Sequence, residues 1–421
     1  TGARSKSTGQ LTMGILVSDE FSSRSTKPIF EAIAKQGDVR VDIISELAGV
    51  EALEADWKAL EKKVSDGLSY FQGFDWCHRW IKSFIGNAKA DEDTQLCLVT
   101  IRRSDKIAAI FPLVRVTKSF GVKTIRTLGE PLAQYANILI DTDLLSIQEA
   151  RTCWQDISKE LDADAIVLDR VLKGSQLAHV LDQKNISNEK EDLSLIMNLE
   201  GVESWDTFHA AFKKTVRRGR RRRFRKIEEE IGAIELHTHF GGTQEYKDAV
   251  NKALEYKMVW LKENGRNMAS FSDERATPFL ADLDGNREQL DGAIAYVMTV
   301  DGKPVAIELG FLQDKRYYCF LGAFDWELRS FSLGKVQMEQ SLKWAIENGI
   351  TKIDFLGNYE AYQGDWSNTS TEVVSYGAAT SLKGMAYANL WEQQLKPGLK
   401  KVFRRLPPSV RKGLMTGLAT R

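Results

Sequence analysis

Only four cysteines occur in 421 residues: Cys77, Cys97, Cys153 and Cys319, none in Cys-x-x-Cys spacing. That scatter argues against a disulfide framework or a cysteine-bound zinc, and fits buried reduced thiols in a cytoplasmic protein. No apolar run approaches the roughly 20 residues that a membrane helix needs. The polar start, Thr1 to Gly9, lacks the pattern of a secretory signal and is expected to be disordered. Lys plus Arg and Asp plus Glu balance at 58 each, so bulk charge names no partner. There is no P-loop, Gly-x-Ser-x-Gly or His-Glu-x-x-His. The Asp-Trp pairs at Asp75, Asp325 and Asp365 lack the even spacing of a propeller. His237 and His239 would share one face of a strand, but no third ligand accompanies them, so no metal is expected.

What is present divides into four stretches: a polar lead over 1–35, a unit over 36–200, a second unit over 201–384 and a basic helical tail over 385–421. In the first unit, Val41–Ile44 reads as a strand, Val50–Val64 and the aromatic Phe71–Phe84 as helices, and Leu96–Ile140 as a sheet. A helix over Leu144–Leu161, a strand at Ala165–Leu168 and a closing strand at Leu195–Leu199 follow. The second unit opens with one long helix, Trp205–Ile231, then a strand at Leu236–Phe240 and a helix over Thr243–Asn264.

The segment from Ala293 to Trp366 carries the most information. Ala295–Val300 and Val305–Phe311 flank Asp301-Gly302, a strong hairpin signal because the favoured turn needs positive φ. A third strand, Tyr317–Phe324, precedes Ser330-Phe-Ser-Leu-Gly334, which opens a helix from Lys335 to Asn348. A further strand, Lys352–Leu356, ends at Gly357. This order puts a polar loop and a helix N-terminus beside open strand ends, where unpaired N–H groups and the dipole suit a phosphate. The first unit holds an echo: Leu96–Ile101, a turn, then Lys106-Ile-Ala-Ala109 standing where Lys303-Pro-Val-Ala306 stands later. Each hairpin also follows an aromatic-rich helix, so a tandem of two α+β units is expected.

These residues resemble the GNAT-fold acyltransferases, and more narrowly the bacterial cellulose-biosynthesis (CelD-like) acetyltransferases, which are similar to the double-unit Fem aminoacyl-transferases. The resemblance spans most of residues 50–380. It rests on the Asp-Gly hairpin, Ser330-x-Ser332-x-Gly334, Ile353-Asp-Phe-Leu-Gly357, Tyr362 before Trp366, and in the first unit Phe71–Trp80, Ala109-Ile-Phe-Pro-Leu113 and Thr127-Leu-Gly129 through Tyr135. It implies an α+β fold of tandem GNAT-like units with mixed, centrally splayed sheets flanked by helices. It implies transfer of an acyl group from acetyl-CoA or another acyl-CoA to an amine or hydroxyl on a sugar, polysaccharide precursor or amino compound. The donor pyrophosphate would sit on Arg329, Ser330, Phe331, Ser332, Leu333, Gly334 and Lys335. That loop holds less glycine than the usual signature.

For proton transfer the candidates are Glu308, alone in an apolar strand, Asp325 after the third strand, Asp354 at the family's strand Asp, and Tyr362, followed here by Gln363 instead of the family's Lys. Two basic stretches stand apart. Lys213 to Lys226 holds ten Lys and Arg, with Phe212, Val216, Phe224 and Ile227 as a thin docking stripe. The tail Leu395–Leu406 is basic and amphipathic, suited to an anionic membrane surface. Rival readings are an enzyme using aminoacyl-tRNA, and a non-catalytic GNAT scaffold that binds RNA or an envelope polymer through the basic helix.

Overall fold

The computed structural model describes residues 31–36, 38–64, 67–86, 93–266, 268–357 and 363–387. The first unit begins with β1 (Glu31–Gln36), β2 (Val39–Ile44), α1 (Leu47–Glu51), α2 (Glu54–Val64) and α3 (Phe74–Phe84). A long hairpin follows. One arm is β3 (Thr94–Leu96) and β4 (Leu98–Arg103); the other is β5 (Lys106–Phe111) and β6 (Leu113–Lys118). Both arms bend together at Cys97 and Pro112, where the Cys97 N–H still donates to the Leu113 carbonyl at 3.1 Å. Proline suits the break because it has no N–H to lose from a ladder. The bend sends the tip into a five-stranded sheet, β1-β2-β4-β5-β8 with β8 (Leu139–Ile140), and the base into a much larger sheet. Thus the single first sheet expected over Leu96–Ile140 is shared between two.

β7 (Val122–Thr127), α4 (Ile147–Glu160), β9 (Ala165–Leu172), α5 (Gln176–Val180) and β10 (Ile186–Asn198) complete this half. α4 starts on a capping box in which the side chains of Ser146 and Glu149 satisfy each other's N–H groups. The second half runs α6 (Trp205–Ala210), α7 (Lys214–Glu230), β11 (Ile234–Phe240), α8 (Gln244–Glu263), α9 (Ala269–Ser272), α10 (Ala276–Ala281), β12 (Gly285–Asn286), β13 (Asp291–Val300), β14 (Lys303–Gln313), β15 (Arg316–Phe324), α11 (Leu333–Glu347), β16 (Lys352–Asp354), β17 (Thr369–Ala379) and α12 (Leu382–Ala386). The long helix expected over Trp205–Ile231 is therefore two. Ser204 caps α6, and a break at residues 211–213 lets α7 set off in its own direction.

The large sheet has the order β11-β13-β14-β15-β16-β10-β17-β9-β7-β6-β3, with β12 beside β13. β10, the closing strand of the first half, lies between β16 and β17 of the second and is antiparallel to both. β17 in turn pairs with β9. The two halves thus exchange strands within one sheet.

The echo between the halves is geometric as well as sequential. Ser104-Asp105 (φ 47° and 64°) and Asp301-Gly302 (φ 48° and 75°) both make two-residue turns with positive φ, the conformation that matches strand twist. In each hairpin the register slips at the same place, leaving Ala108 and Val305 as extra residues on the second strand. Aromatic side chains join the halves. Tyr70 stacks on Phe311 at 4.6 Å, and Trp76 meets Phe279 edge-on at 4.9 Å. Each such ring, once buried, contributes roughly 1.5–3 kcal/mol.

Candidate active site

β15 is paired with β14 along its whole length, but with β16 over three residues only: Arg316 with Lys352, Tyr317 with Ile353 and Tyr318 with Asp354. Beyond that point the two parallel strands part. β16 stops, the Phe355 N–H donates to Leu195 of β10 at 2.9 Å, and Leu356 turns the chain at φ 61°. β15 continues to Phe324 and carries a bulge at Phe320, since Leu309 faces Leu321 while Gly310 faces Cys319. A bulge adds local twist and re-aims the strand. Among the described residues no strand pairs with β15 on that side after Tyr318. Cys319 and Phe320 are half-buried there, and Gly322 is exposed. The edge of β15 beyond Tyr318 is thus unpaired among the described residues, and it borders the crevice between the parted strands.

The loop after β15 turns back to the start of α11. Ser332 stands at the N-cap with φ 57°, and its side chain caps nothing. The Lys335 N–H is taken by the Ser332 carbonyl at 3.0 Å. The Leu333 and Gly334 N–H groups have no acceptor among the described residues. A Cβ on Gly334 would meet only Phe324, at 3.8 Å, so this helix start is open. Leu333 is buried as an anchor, whereas Arg329, Ser330, Ser332, Gly334 and Lys335 are exposed and Phe331 is half-buried. Free amides and the positive end of the dipole are the chemistry that suits an anion.

The structure adds a neighbour to this loop. α7 packs Ile227 and Phe224 onto Leu333, Val336 and Val305. Lys226 lies over the Phe331 ring at 4.8 Å. Arg220 is buried between Phe212, at 4.1 Å, and Trp366, at 3.6 Å. Arg223 and Arg220 both act electrostatically on Glu339 of α11. Arg218, Arg221, Arg222 and Arg225 are exposed. The apolar stripe on α7 is readable in the sequence; that its dock is the start of α11 is not.

The candidate proton-transfer groups fall in different surroundings. Glu308 is buried on the α11 face of β14. It accepts from the Tyr317 hydroxyl at 2.5 Å, and the nearby Ser341 hydroxyl favours its charged form. Burial pushes its carboxyl up to about 7. The Tyr296 hydroxyl and Gln337 Oε1, buried in the same cluster, have no partner among the described residues. Cys319 lies two residues further along the same strand, half-buried, and burial pushes its thiol well up. The Tyr317 ring lies over Gly310, where a Cβ would collide with it.

Asp354 is buried at the point where the strands part, and its oxygens are fully engaged. Oδ1 accepts from Tyr135 (2.7 Å), Ser194 (2.8 Å) and the Leu356 N–H (2.9 Å), and Oδ2 from Arg316 (3.1 Å). Tyr135 belongs to the first half, so this carboxylate ties the halves together. Asp325 accepts from the Glu327 N–H at 3.0 Å and starts the turn after β15. Tyr362 lies outside the described residues. Among the described residues no group of three His, Cys, Asp or Glu is placed to hold a metal. No helix there is long and apolar enough to cross a membrane.

Residues 212–364 match the family model described as an acetyltransferase (GNAT) domain. That stretch runs from the end of α6 past the crevice and includes α7. Among solved structures the chain is similar to FemX at 11% identity, over 81% of this chain and 98% of that one, with a TM-score of 0.52. It is also similar to a tandem GNAT protein from the clavulanic acid biosynthesis pathway, at 10% identity over 81% and 99% with a TM-score of 0.43. L-PGS from Bacillus licheniformis gives 11% identity over 81% and 97%, with a TM-score of 0.45. No curated protein matches. The chain has a tandem GNAT-like fold.

Proposed function

We propose that the protein transfers an acyl group, acetyl or longer, from CoA to an amine or hydroxyl, and that the donor lies in the crevice between β15 and β16. The observation that carries this reading is a conjunction: the strands part after three residues, and they do so beside a helix start with two unpartnered amides. In this reading the pyrophosphate lies on Ser330, Ser332, Gly334 and Lys335, with Arg329 and Lys226 as nearby cations. The pantetheine arm takes the place of the missing strand along β15. A β15 amide past Cys319 faces the thioester oxygen as it gains charge.

For an amine acceptor, nitrogen attacks the thioester carbon, the C–N bond forms and the C–S bond breaks. The nitrogen's proton passes through Tyr317 to the Glu308 carboxylate, and Tyr362 protonates the departing thiolate. A carboxyl with a pKa of about 7 suits that task, because a base works best near the operating pH. Asp354 holds the parted strands in place and Asp325 shapes the loop. The CelD-like resemblance favours a sugar or polysaccharide precursor as acceptor, with an amino compound next.

CoA tests this. A ligand that binds only the folded form at 100 times its Kd adds about 2.7 kcal/mol of stability. With roughly 2.1 cal/mol/K of unfolding entropy per residue, that is a rise in Tm of about 3 °C for the whole chain. No rise with either CoA or acetyl-CoA at millimolar concentration would sink the proposal. One observation favours a second reading, aminoacyl-tRNA as donor: the arginine-rich α7 lies against the donor loop. In that case tRNA protects in place of CoA, with a steep salt dependence.

A further inference from the structure

Among the described residues the three most exposed large apolar side chains are Phe120, Leu382 and Met385, at 88%, 84% and 50%. They are far apart in sequence yet share one edge of the molecule. Phe120 is at the tip of the β6–β7 hairpin, and Leu382 and Met385 are on α12, which lies against β7. Lys383 fastens the two by donating to the Gly121 carbonyl at 2.5 Å. Ser381 caps α12 and bonds Asp164 at 2.6 Å.

The fold does not ask for phenylalanine at this tip. Phe120 has φ 64°, a left-handed conformation that glycine or asparagine adopts with less strain. A strained, solvent-facing aromatic beside two exposed aliphatic side chains is a surface built to be covered. Lysines rim it: Lys118 and Lys123 on the hairpin and Lys383 on the helix, the last two paired to Asp162 and Asp164. The described chain ends at Tyr387, at the foot of α12. The sequence beyond it carries eight Lys and Arg against a single acid, Glu392. Apolar side chains ringed by cations, with a cationic continuation, complement one partner: a bilayer with acidic headgroups.

We infer that this edge docks on an anionic lipid surface, with Phe120, Leu382 and Met385 entering the headgroup region. The inference is independent of the donor reading, because β7 lies well away from the crevice in the sheet order. The test is sedimentation of the full chain with vesicles of equal parts phosphatidylglycerol and phosphatidylcholine. A variant carrying Phe120→Asn, Leu382→Gln and Met385→Gln, with its tail intact, is expected to bind about tenfold more weakly. Its melting temperature and response to CoA should match the unsubstituted protein, since all three side chains point into solvent. Unchanged vesicle binding by the variant would assign any lipid affinity to the tail and overturn the inference. So would equal binding to pure phosphatidylcholine, or no binding by the unsubstituted protein. A dimer that the variant converts to monomer would instead make this edge a contact between copies, and would overturn it too.

Discussion

Asp354 and Glu308 are both buried carboxyls in the second half, yet replacing each by its amide should have very different effects. Asp354 faces Arg316 at 3.1 Å, with the two side chains 1% and 8% exposed. Asp354→Asn keeps an oxygen for Tyr135, Ser194 and Leu356, but removes the only anion that, among the described residues, is bonded to the buried Arg316 guanidinium. Breaking a buried pair from one side costs about 3–5 kcal/mol, because the remaining charge is left uncompensated. Spread over 421 residues, 4 kcal/mol corresponds to a fall in Tm of about 4–5 °C for concerted unfolding. Among the described residues no cation pairs with Glu308, and its carboxyl is already about half neutral at pH 7. Gln can accept from Tyr317 as the acid does, so Glu308→Gln should cost about 1 kcal/mol or less. Urea melts at pH 7 measure both. The double variant Asp354→Asn, Arg316→Met should recover at least half of the loss, because the stranded charge is then gone. If Asp354→Asn lies within 1 kcal/mol of the unsubstituted protein, or the double variant is no better than the single, the account of this junction is wrong.

Stability should fall as pH rises from about 4.5 to about 7. The folded carboxyls of Glu308 and Glu61 hold their protons to about 7, whereas the unfolded ones release them near 4.3, so the folded state binds more protons in that window. Glu308→Gln should flatten the slope measured by urea melts, and an unchanged slope would clear Glu308 of the role. If Glu308 is the base, turnover should rise through about pH 7, and Glu308→Gln should lower it by roughly 10²–10⁴-fold; a variant with full activity assigns the proton elsewhere. Gly334→Asp should stabilise the empty protein by about 0.3–1 kcal/mol, since an anion suits a helix start, while abolishing the thermal shift with CoA. Retained protection would mean that the phosphates bind elsewhere. Gly310→Ala should cost roughly 1–3 kcal/mol, because its methyl meets both the Tyr317 ring and the Tyr318 carbonyl; a neutral result would show that ring and strand can both give way without penalty.

Much of the second half was legible in the sequence because its signals are local. Asp301-Gly302 sets its hairpin by φ alone, and the Lys335–Asn348 pattern marks α11 to within two residues of its observed start. What escaped depends on contacts from elsewhere. β17 reads Thr-Ser-Thr-Glu-Val-Val-Ser-Tyr-Gly-Ala-Ala, too polar and small to suggest a strand; pairing with β10 and β9 makes it one, and only then are Val373, Val374 and Tyr376 buried. β10 was visible only in its apolar second half, Leu195–Leu199, and its position between two strands of the other unit is a tertiary fact. Glu308 stood out as an acid in an apolar strand, but its partner Tyr317 lies across a hairpin whose bulge shifts the register. Arg316, the counter-ion of Asp354, has no local signal to mark it: it follows Lys315 directly after the turn between β14 and β15.

The passage of β10 through the middle of the other half's sheet has a genetic consequence. A gene cut near residue 200, where the two units seem to join, would carry β10 away with the first fragment and leave β16 and β17 facing a gap. Neither fragment would hold a finished fold, and each would show raw ladder edges to its neighbours. Shuffling halves between relatives is barred for the same reason. The two halves, alike in their hairpins, are bound by that shared sheet into a single heritable unit, which can lengthen its loops or change its surface but cannot come apart.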